Sequence, residues 1–284
     1  MRVVITGHNG QLGRQLQSVF AGQELLLLDL PSDDITSPAT AGRIADFAPE
    51  LVVHAAAFTD VDGCEREPDR AFQVNALGTQ NVALGAERCN AAMAYVSTNE
   101  VFDGRRREPY REWESYCPIS VYARSKAAGE QIVRDLCRRF YIVRVAWLFG
   151  PGGVNFVTKI LGGAARQGAL RVACDEFGNP SYAPDVAQGI WRLAGTAHYG
   201  IYHLANSGYC SRFEFARAIL DYAGLRDVPV TPILCSEWPR PSQPPLHAIL
   251  ANTTAAALGI TPRPWQEALA EYVSLLQAEK GHGA

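Results

Sequence analysis

The chain has 284 residues, 48% of them hydrophobic, and a formal net charge of -3. That length can bury a large core in one or two domains. The charge is slightly negative and no basic run exceeds Arg105 to Arg107, which argues against nucleic acid or an acidic membrane surface as partner. The expected ligand is a small molecule. No apolar stretch approaches the length of a membrane span, and Met1 and Arg2 run directly into an apolar segment where a signal peptide would need room, so a cytoplasmic protein is expected. The seven cysteines and six histidines are scattered without metal-ligand spacing, so the thiols read as reduced and structural, with no metal site.

Val3, Val4 and Ile5 form the continuous apolar run of a parallel strand buried on both faces. Gly7, Gly10 and Gly13 follow, and Leu12, Leu16, Val19 and Phe20 then recur at helical spacing, so the glycines occupy a turn from a strand into a helix N-terminus. Such a turn lets backbone approach a pyrophosphate, which the N-H groups and dipole of the helix start attract. Two residues separate the first pair of glycines, one more than in the common dinucleotide fingerprint. Asp29 closes the run Leu25 to Leu28, twenty-two residues after Gly7, where a carboxylate can accept hydrogen bonds from a ribose. A dinucleotide site is expected, and a carboxylate there favours a cofactor without a 2′-phosphate, NADH over NADPH.

Ser32 to Ser37 reads as a loop, with Ser37 as an N-cap and Pro38 at the first helical position. Pro49 stops that helix, and Leu51 to Val53 give the next buried strand, followed by His54 and the small residues Ala55, Ala56 and Ala57. His54 reads as a buried strand-end histidine. One long helix is expected from about Pro68 to Cys89, then a strand through Ala94 to Val96. The alternation is that of a doubly wound parallel sheet, whose ligands lie beyond the carboxyl ends of the strands. Ser97 and Thr98 end that strand, a loop rich in charge and proline runs to Pro118, and Ser120 is placed to cap a helix carrying Tyr122 and Lys126 on one face. Hydroxyl, phenol and ammonium could there converge on a bound nicotinamide.

These pieces resemble the extended short-chain dehydrogenases/reductases, and among them the dTDP-4-dehydrorhamnose reductase family. The similarity is carried by the glycine turn, AAAFTDVDGCE from Ala55, VNALGTQNVA from Val74, STNEVFDG from Ser97, Tyr122 to Lys126 with Ala-Ala-Gly-Glu after it, RVAWLFG from Arg144, Asn155-Phe156 and GIYHL from Gly200. The resemblance implies an NAD(P)H-dependent reductase of a 4-keto-6-deoxy nucleotide sugar. Tyr122 would be the proton donor, Lys126 its partner and a ribose ligand, and Thr98 the hydroxyl on the substrate carbonyl. Gly10, Gln11, Leu12, Asp29, Asp34, Ile35, Ala56, Ala57 and Phe58 would line the cofactor, while Trp147 and the Thr98 to Asn99 turn would contact the sugar. The family usually has Asp-Tyr after the threonine and asparagine where His54 stands; this chain has Asn99 and Glu100. Glu100 reads as a charged residue on the solvent side of the substrate, with sugar recognition or proton abstraction as the other readings. A nucleotide-sugar dehydratase or epimerase, and a non-catalytic subunit like the regulatory subunit of methionine adenosyltransferase, are the rival functions. A homodimer is left open.

Beyond Gly150 helices are expected over 155–166, 184–194 and 211–223 and strands over 170–173 and 201–204. Prolines from Pro229 to Pro245 exclude regular structure, and Pro264 to Gln277 forms a last helix. The expected division is a Rossmann dinucleotide-binding domain of residues 1–150 plus about 184–205, and a smaller substrate domain of residues 151–183 and 206–284.

Overall fold

The computed structural model describes residues 1–281. In chain order the first half comprises β1 (Arg2–Thr6), α1 (Gln11–Val19), β2 (Glu24–Leu28), α2 (Ala39–Phe47), β3 (Leu51–His54), α3 (Val61–Arg66), α4 (Pro68–Phe72), α5 (Thr79–Arg88), β4 (Ala92–Thr98), α6 (Val121–Leu136) and β5 (Phe140–Val145). The second half comprises β6 (Leu148–Phe149), α7 (Phe156–Gln167), β7 (Leu170–Ala173), β8 (Phe177–Gly178), β9 (Ser181–Tyr182), α8 (Ala183–Ala194), β10 (Gly200–His203), β11 (Cys210–Ser211), α9 (Arg212–Tyr222), β12 (Val230–Ile233), α10 (Thr253–Ala257) and α11 (Trp265–Gly281).

Six strands form one parallel sheet in the order β10-β5-β4-β3-β1-β2, making an α/β doubly wound fold. The chain runs outward from β1 to β2 and then returns to β3 on the other side of β1, so β1 and β3 flank the switch point where ligands bind in such sheets. The inner strands bury both faces because their residues alternate between two cores. Val3, Ile5, Val53 and Val143 pack with Leu12 and Leu16 of α1 and Val186 and Ile190 of α8. Val4, Val52, Met93 and Ile142 pack with Ile44 of α2, Val82 of α5 and Val133 of α6. A separate core of Phe149, Val157, Ile160, Phe215, Ile219, Leu269 and Tyr272 joins α7, α9 and α11.

Three expectations are corrected. The helix expected over 68–89 is broken by a π-helical segment, Gln73–Gly78, between α4 and α5. The helix expected to start at Pro38 starts at Ala39, and the Ser37 hydroxyl accepts from the Ala39 N-H at 3.3 Å. The proline-rich stretch does hold regular structure: β12, with Pro232 inside it, pairs in parallel with β7. This ladder has only two strands, so the N-H that Pro232 lacks is not missed at the free edge.

Candidate active site

At the end of β1, Gly7 takes a left-handed conformation (φ 69°), and a Cβ there would lie 2.7 Å from the Ala56 backbone. A Cβ on Gly13 would come within 2.1 Å of the Gly7 carbonyl oxygen. Only glycine lets β1, α1 and the segment after β3 close on one another here, and this brings the N-terminus of α1 to the strand ends. Gly10 donates to the Gly7 carbonyl at 3.1 Å. Asp29 lies against the same turn, accepting from the Asn9 N-H at 2.9 Å and from the Leu30 N-H at 2.8 Å. Gln11 Oε1 accepts at 3.1 Å from Nδ2 of Asn155, the residue that caps α7. Three expected cofactor residues are engaged elsewhere. Leu12 and Ile35 are buried in the two cores beside the sheet, and exposed Asp34 closes its own turn by accepting from the Thr36 N-H at 2.9 Å and hydroxyl at 2.8 Å.

The segment from Ala55 to Phe58 is held by a buried relay of hydrogen bonds. Thr79 Oγ1 donates to the Asn75 carbonyl at 2.8 Å, so it accepts from His54 Nε2 at 3.0 Å; His54 Nδ1 then accepts from Thr6 Oγ1 at 2.6 Å, and Thr6 Oγ1 accepts from the Ala56 N-H at 3.3 Å. Burial, with Lys126 adding repulsion, lowers the His54 pKa to about 3, so the ring is neutral. His54 is a structural strand-end residue. Asn75, from the π-helical segment, accepts from the Phe58 N-H at 2.8 Å and donates to the Phe58 carbonyl at 3.1 Å and to Ser125 Oγ at 2.9 Å. Ser125 in turn donates to the Tyr122 carbonyl at 2.8 Å. The first turn of α6 is thereby tied to the end of β3.

Ser120 caps α6, accepting from the Ala123 N-H at 3.1 Å, and Glu65 of α3 accepts from the Val121 N-H at 2.7 Å. Tyr122 packs with Phe58 against Cys64, Ala71 and Val121, and Thr98 hydrogen-bonds its phenol. Burial first, then the charge of Glu100, raise the Tyr122 pKa, and Thr98 opposes the rise, so Tyr122 is a neutral phenol. Lys126 is buried, donates from Nζ to the Val96 carbonyl at 2.8 Å and lies 4.1 Å from the Tyr95 ring centroid. Desolvation lowers its pKa to about 7 against the opposing charge of Glu130. Behind it, Arg144 forms a buried bidentate pair with Glu130 at 2.9 and 2.7 Å.

The short 3-10 turn Asn99–Val101 follows Thr98, whose Oγ1 accepts from the Glu100 N-H at 3.2 Å. The Asn99 side chain does not face open space; it is buried and donates to the Ala248 carbonyl at 2.9 Å. Glu100, expected on a solvent side, is half-buried, with Oε2 buried and without a hydrogen-bond partner. Burial and the carboxylate of Glu176 raise its pKa to about 7, against Arg212, Arg240 and a hydrogen bond from Ser120. Trp147 stacks 3.6 Å beneath the Arg212 guanidinium, which also pairs with Glu176 at 2.9 Å. A cleft of about 1060 Å³ runs on from these residues between α7, β7 and the proline-rich loop; Lys159, Arg171, Arg212 and Arg240 give it cations, and Phe156 and Trp238 give it rings. Glu176, Arg212 and Arg240 escaped sequence reading because only the fold brings them to Glu100.

The family model described as RmlD substrate binding domain matches residues 1–278. The dTDP-4-dehydrorhamnose reductase of Mycobacterium tuberculosis (strain CDC 1551 / Oshkosh) is 39% identical over 278 residues, covering 95% of this chain and 91% of that protein. A crystal structure of a dTDP-4-dehydrorhamnose reductase from Clostridium acetobutylicum superposes with a TM-score of 0.94 at 37% identity, covering 98% of this chain and 100% of that one. That of the Bacillus anthracis dTDP-4-dehydrorhamnose reductase in complex with NADP superposes with a TM-score of 0.92 at 37% identity, covering 95% of this chain and 98% of that one. The chain belongs to the RmlD substrate binding domain family, the dTDP-4-dehydrorhamnose reductase branch of the extended short-chain dehydrogenases/reductases.

Proposed function

We propose that this protein reduces the ketone of a 4-keto-6-deoxy nucleotide sugar, as the names of its relatives state for them, with Tyr122 as the proton donor. The observation that carries this reading is the meeting of Thr98 and Tyr122 at the end of β4, with Lys126 one turn along α6, beside a glycine turn that a Cβ at Gly7 or Gly13 would fill. That turn and Asp29 fit a nicotinamide dinucleotide. When bound, the reduced cofactor supplies a hydride. Gly7, Gly10, Gly13 and the start of α1 would hold its pyrophosphate, Asp29 and Lys126 its riboses, and Gln11, Ala56, Ala57 and Phe58 its surroundings. Leu12, Asp34 and Ile35 would support the turn and the edge of the pocket.

Thr98 and Tyr122 would hold the sugar carbonyl between two hydroxyls. As negative charge grows on that oxygen, Tyr122 hands over its phenolic proton. Trp147 and the turn of Thr98, Asn99 and Glu100 would surround the sugar, and the adjoining cleft, with its arginines and rings, would take the nucleotide. In this reading the larger lobe, residues 1–150 with about 184–205, is the dinucleotide domain, and residues 151–183 with 206–284 form the substrate domain. Asn99 disfavours the dehydratase reading, because a neutral amide already spent on Ala248 cannot protonate a leaving hydroxyl. Tyr122→Phe is the test: turnover with a 4-keto-6-deoxy nucleotide sugar falls about 10²- to 10⁴-fold while cofactor affinity stays unchanged. Retention of more than about a tenth of wild-type turnover would remove Tyr122 from the role.

A further inference from the structure

Glu100 is the one acidic side chain whose buried oxygen, among the described residues, has no partner while its charge bears on Tyr122. Its N-H is held by Thr98 Oγ1 at 3.2 Å, and Ser120, which caps the helix turn carrying Tyr122, lies near its carboxyl. We propose that Glu100 is a positioning residue that controls proton delivery through its own charge: as a neutral acid it lets Tyr122 give up its proton, and as a carboxylate it holds that proton back. The proposal rests on Tyr122 being the proton donor.

Cys64 of α3 and Tyr122 of α6 feel the charge of the Glu100 carboxyl, and Ser120 donates to it. Glu176, in the loop before β8, repels it; Arg212 at the start of α9 and Arg240 of the proline-rich loop attract it. Arg212 is shared with Glu176 at 2.9 Å, and Arg240 with Asp62 at 3.0 Å, so neither cation is committed to Glu100. Burial and Glu176 therefore outweigh the arginines, and the carboxyl titrates near neutrality, at about 7. The consequence for the reaction has a definite sign. When Tyr122 gives its proton to the ketone oxygen, its own oxygen becomes negative; an ionised Glu100 opposes that charge, and a protonated one does not. The group transfer is otherwise unchanged: one proton leaves the phenol for the carbonyl oxygen, and solvent restores it to Tyr122.

The test compares wild type, Glu100→Gln and Glu100→Asp between pH 5.5 and 9, with dTDP-4-dehydrorhamnose and reduced cofactor. Wild-type kcat should fall about tenfold as pH rises through about 7, the order expected of one like charge acting on the phenol oxygen through a partly screening site. In Glu100→Gln that fall shrinks about tenfold, leaving only what the titration of Lys126 contributes, and turnover at pH 8.5 exceeds wild type about tenfold. Glu100→Asp keeps a fall, with its midpoint moved. In parallel, the infrared carbonyl band of a protonated carboxyl should be present in wild type at pH 6, vanish by pH 8.5, and be missing from Glu100→Gln, whether or not substrate is added. A Glu100→Gln profile with the wild-type amplitude, an equal loss of kcat at every pH, or no titrating carboxyl band would overturn the proposal. A wild type that reduces no 4-keto sugar would overturn the reductase reading and this proposal with it; the infrared band tells that failure from a failure of Glu100 alone.

Discussion

Single side chains divide here into those placed for ligand chemistry and those that hold them. Asp29 belongs with the first: it already accepts two backbone N-H bonds beside the glycine turn, and a 2′-phosphate brought there would meet its negative charge. NADH should therefore bind more tightly than NADPH, and Asp29→Ala should cost about 1.5 to 3 kcal/mol of NADH affinity for each charged hydrogen bond lost, with little loss for NADPH. Fluorescence titration of both cofactors checks this; tighter NADPH binding by the wild type would contradict it. His54 belongs with the second. Its folded pKa of about 3, like that of buried His203, lies below the ordinary 6.5, so between these values the unfolded chain binds more protons. The stability these neutral rings give is complete above about pH 6.5 and is lost as pH falls toward 3. Each contributes a loss of about 2 kcal/mol between pH 7 and pH 5. Urea denaturation of His54→Asn at the two pH values should show a pH-dependent loss smaller by that amount, and an unchanged loss would refute the assignment.

Among the elements, α6 matters most, because it carries Tyr122 and Lys126 and is seated by Gly129. A Cβ on Gly129 would lie 2.3 Å from the Tyr95 hydroxyl and 2.7 Å from the Asn75 carbonyl, so Gly129→Ala forces α6 away from β4 and the π-helical segment. Overpacking of this kind typically costs about 1 to 3 kcal/mol. Here it should also lower kcat, because the phenol moves relative to Thr98. Gly42→Ala in α2 is the control: nothing lies within 4 Å of its added methyl, so it should be neutral or stabilise by up to about 1 kcal/mol, with activity intact. Thermal melts and steady-state rates of the two variants measure both halves of the prediction; equal behaviour would mean that the seating of α6 is not tight. The elements also mark where sequence reading stops. The π-helical segment keeps the apolar pattern of a helix, yet it is what turns Asn75 toward both Phe58 and Ser125. The strand β12 was hidden by Pro232, whose meaning depends on whether its strand has a second neighbour.

Across the whole molecule, the parts legible in the sequence were those set by local rules. The strand-turn-helix at Gly7 to Gly13, the acid closing β2, and the helix cap placing Tyr122 and Lys126 one turn apart all lie within short stretches. The parts that were not legible depend on distant segments meeting. Glu176, Arg212 and Arg240 decide the state of Glu100, and Ala248 takes the Asn99 amide, although each comes from the second half of the chain. Lys126 shows the same limit: sequence placed it as the cation beside Tyr122, whereas its ammonium is directed to the Val96 carbonyl and the Tyr95 ring.

The central claim, hydride and proton delivery to a sugar ketone, is tested most directly by isotope transfer. The protein is incubated with dTDP-4-dehydrorhamnose and NADH carrying deuterium at the transferable position, and in a parallel reaction nucleotide-glucose and oxidised cofactor are supplied in deuterated water. The expected result is a 4-hydroxy sugar with one deuterium at C4 in the first reaction and no product in the second. A 4-keto-6-deoxy product with deuterium at C5 in the second, without label transfer in the first, would contradict it and make Glu100 the base of an elimination.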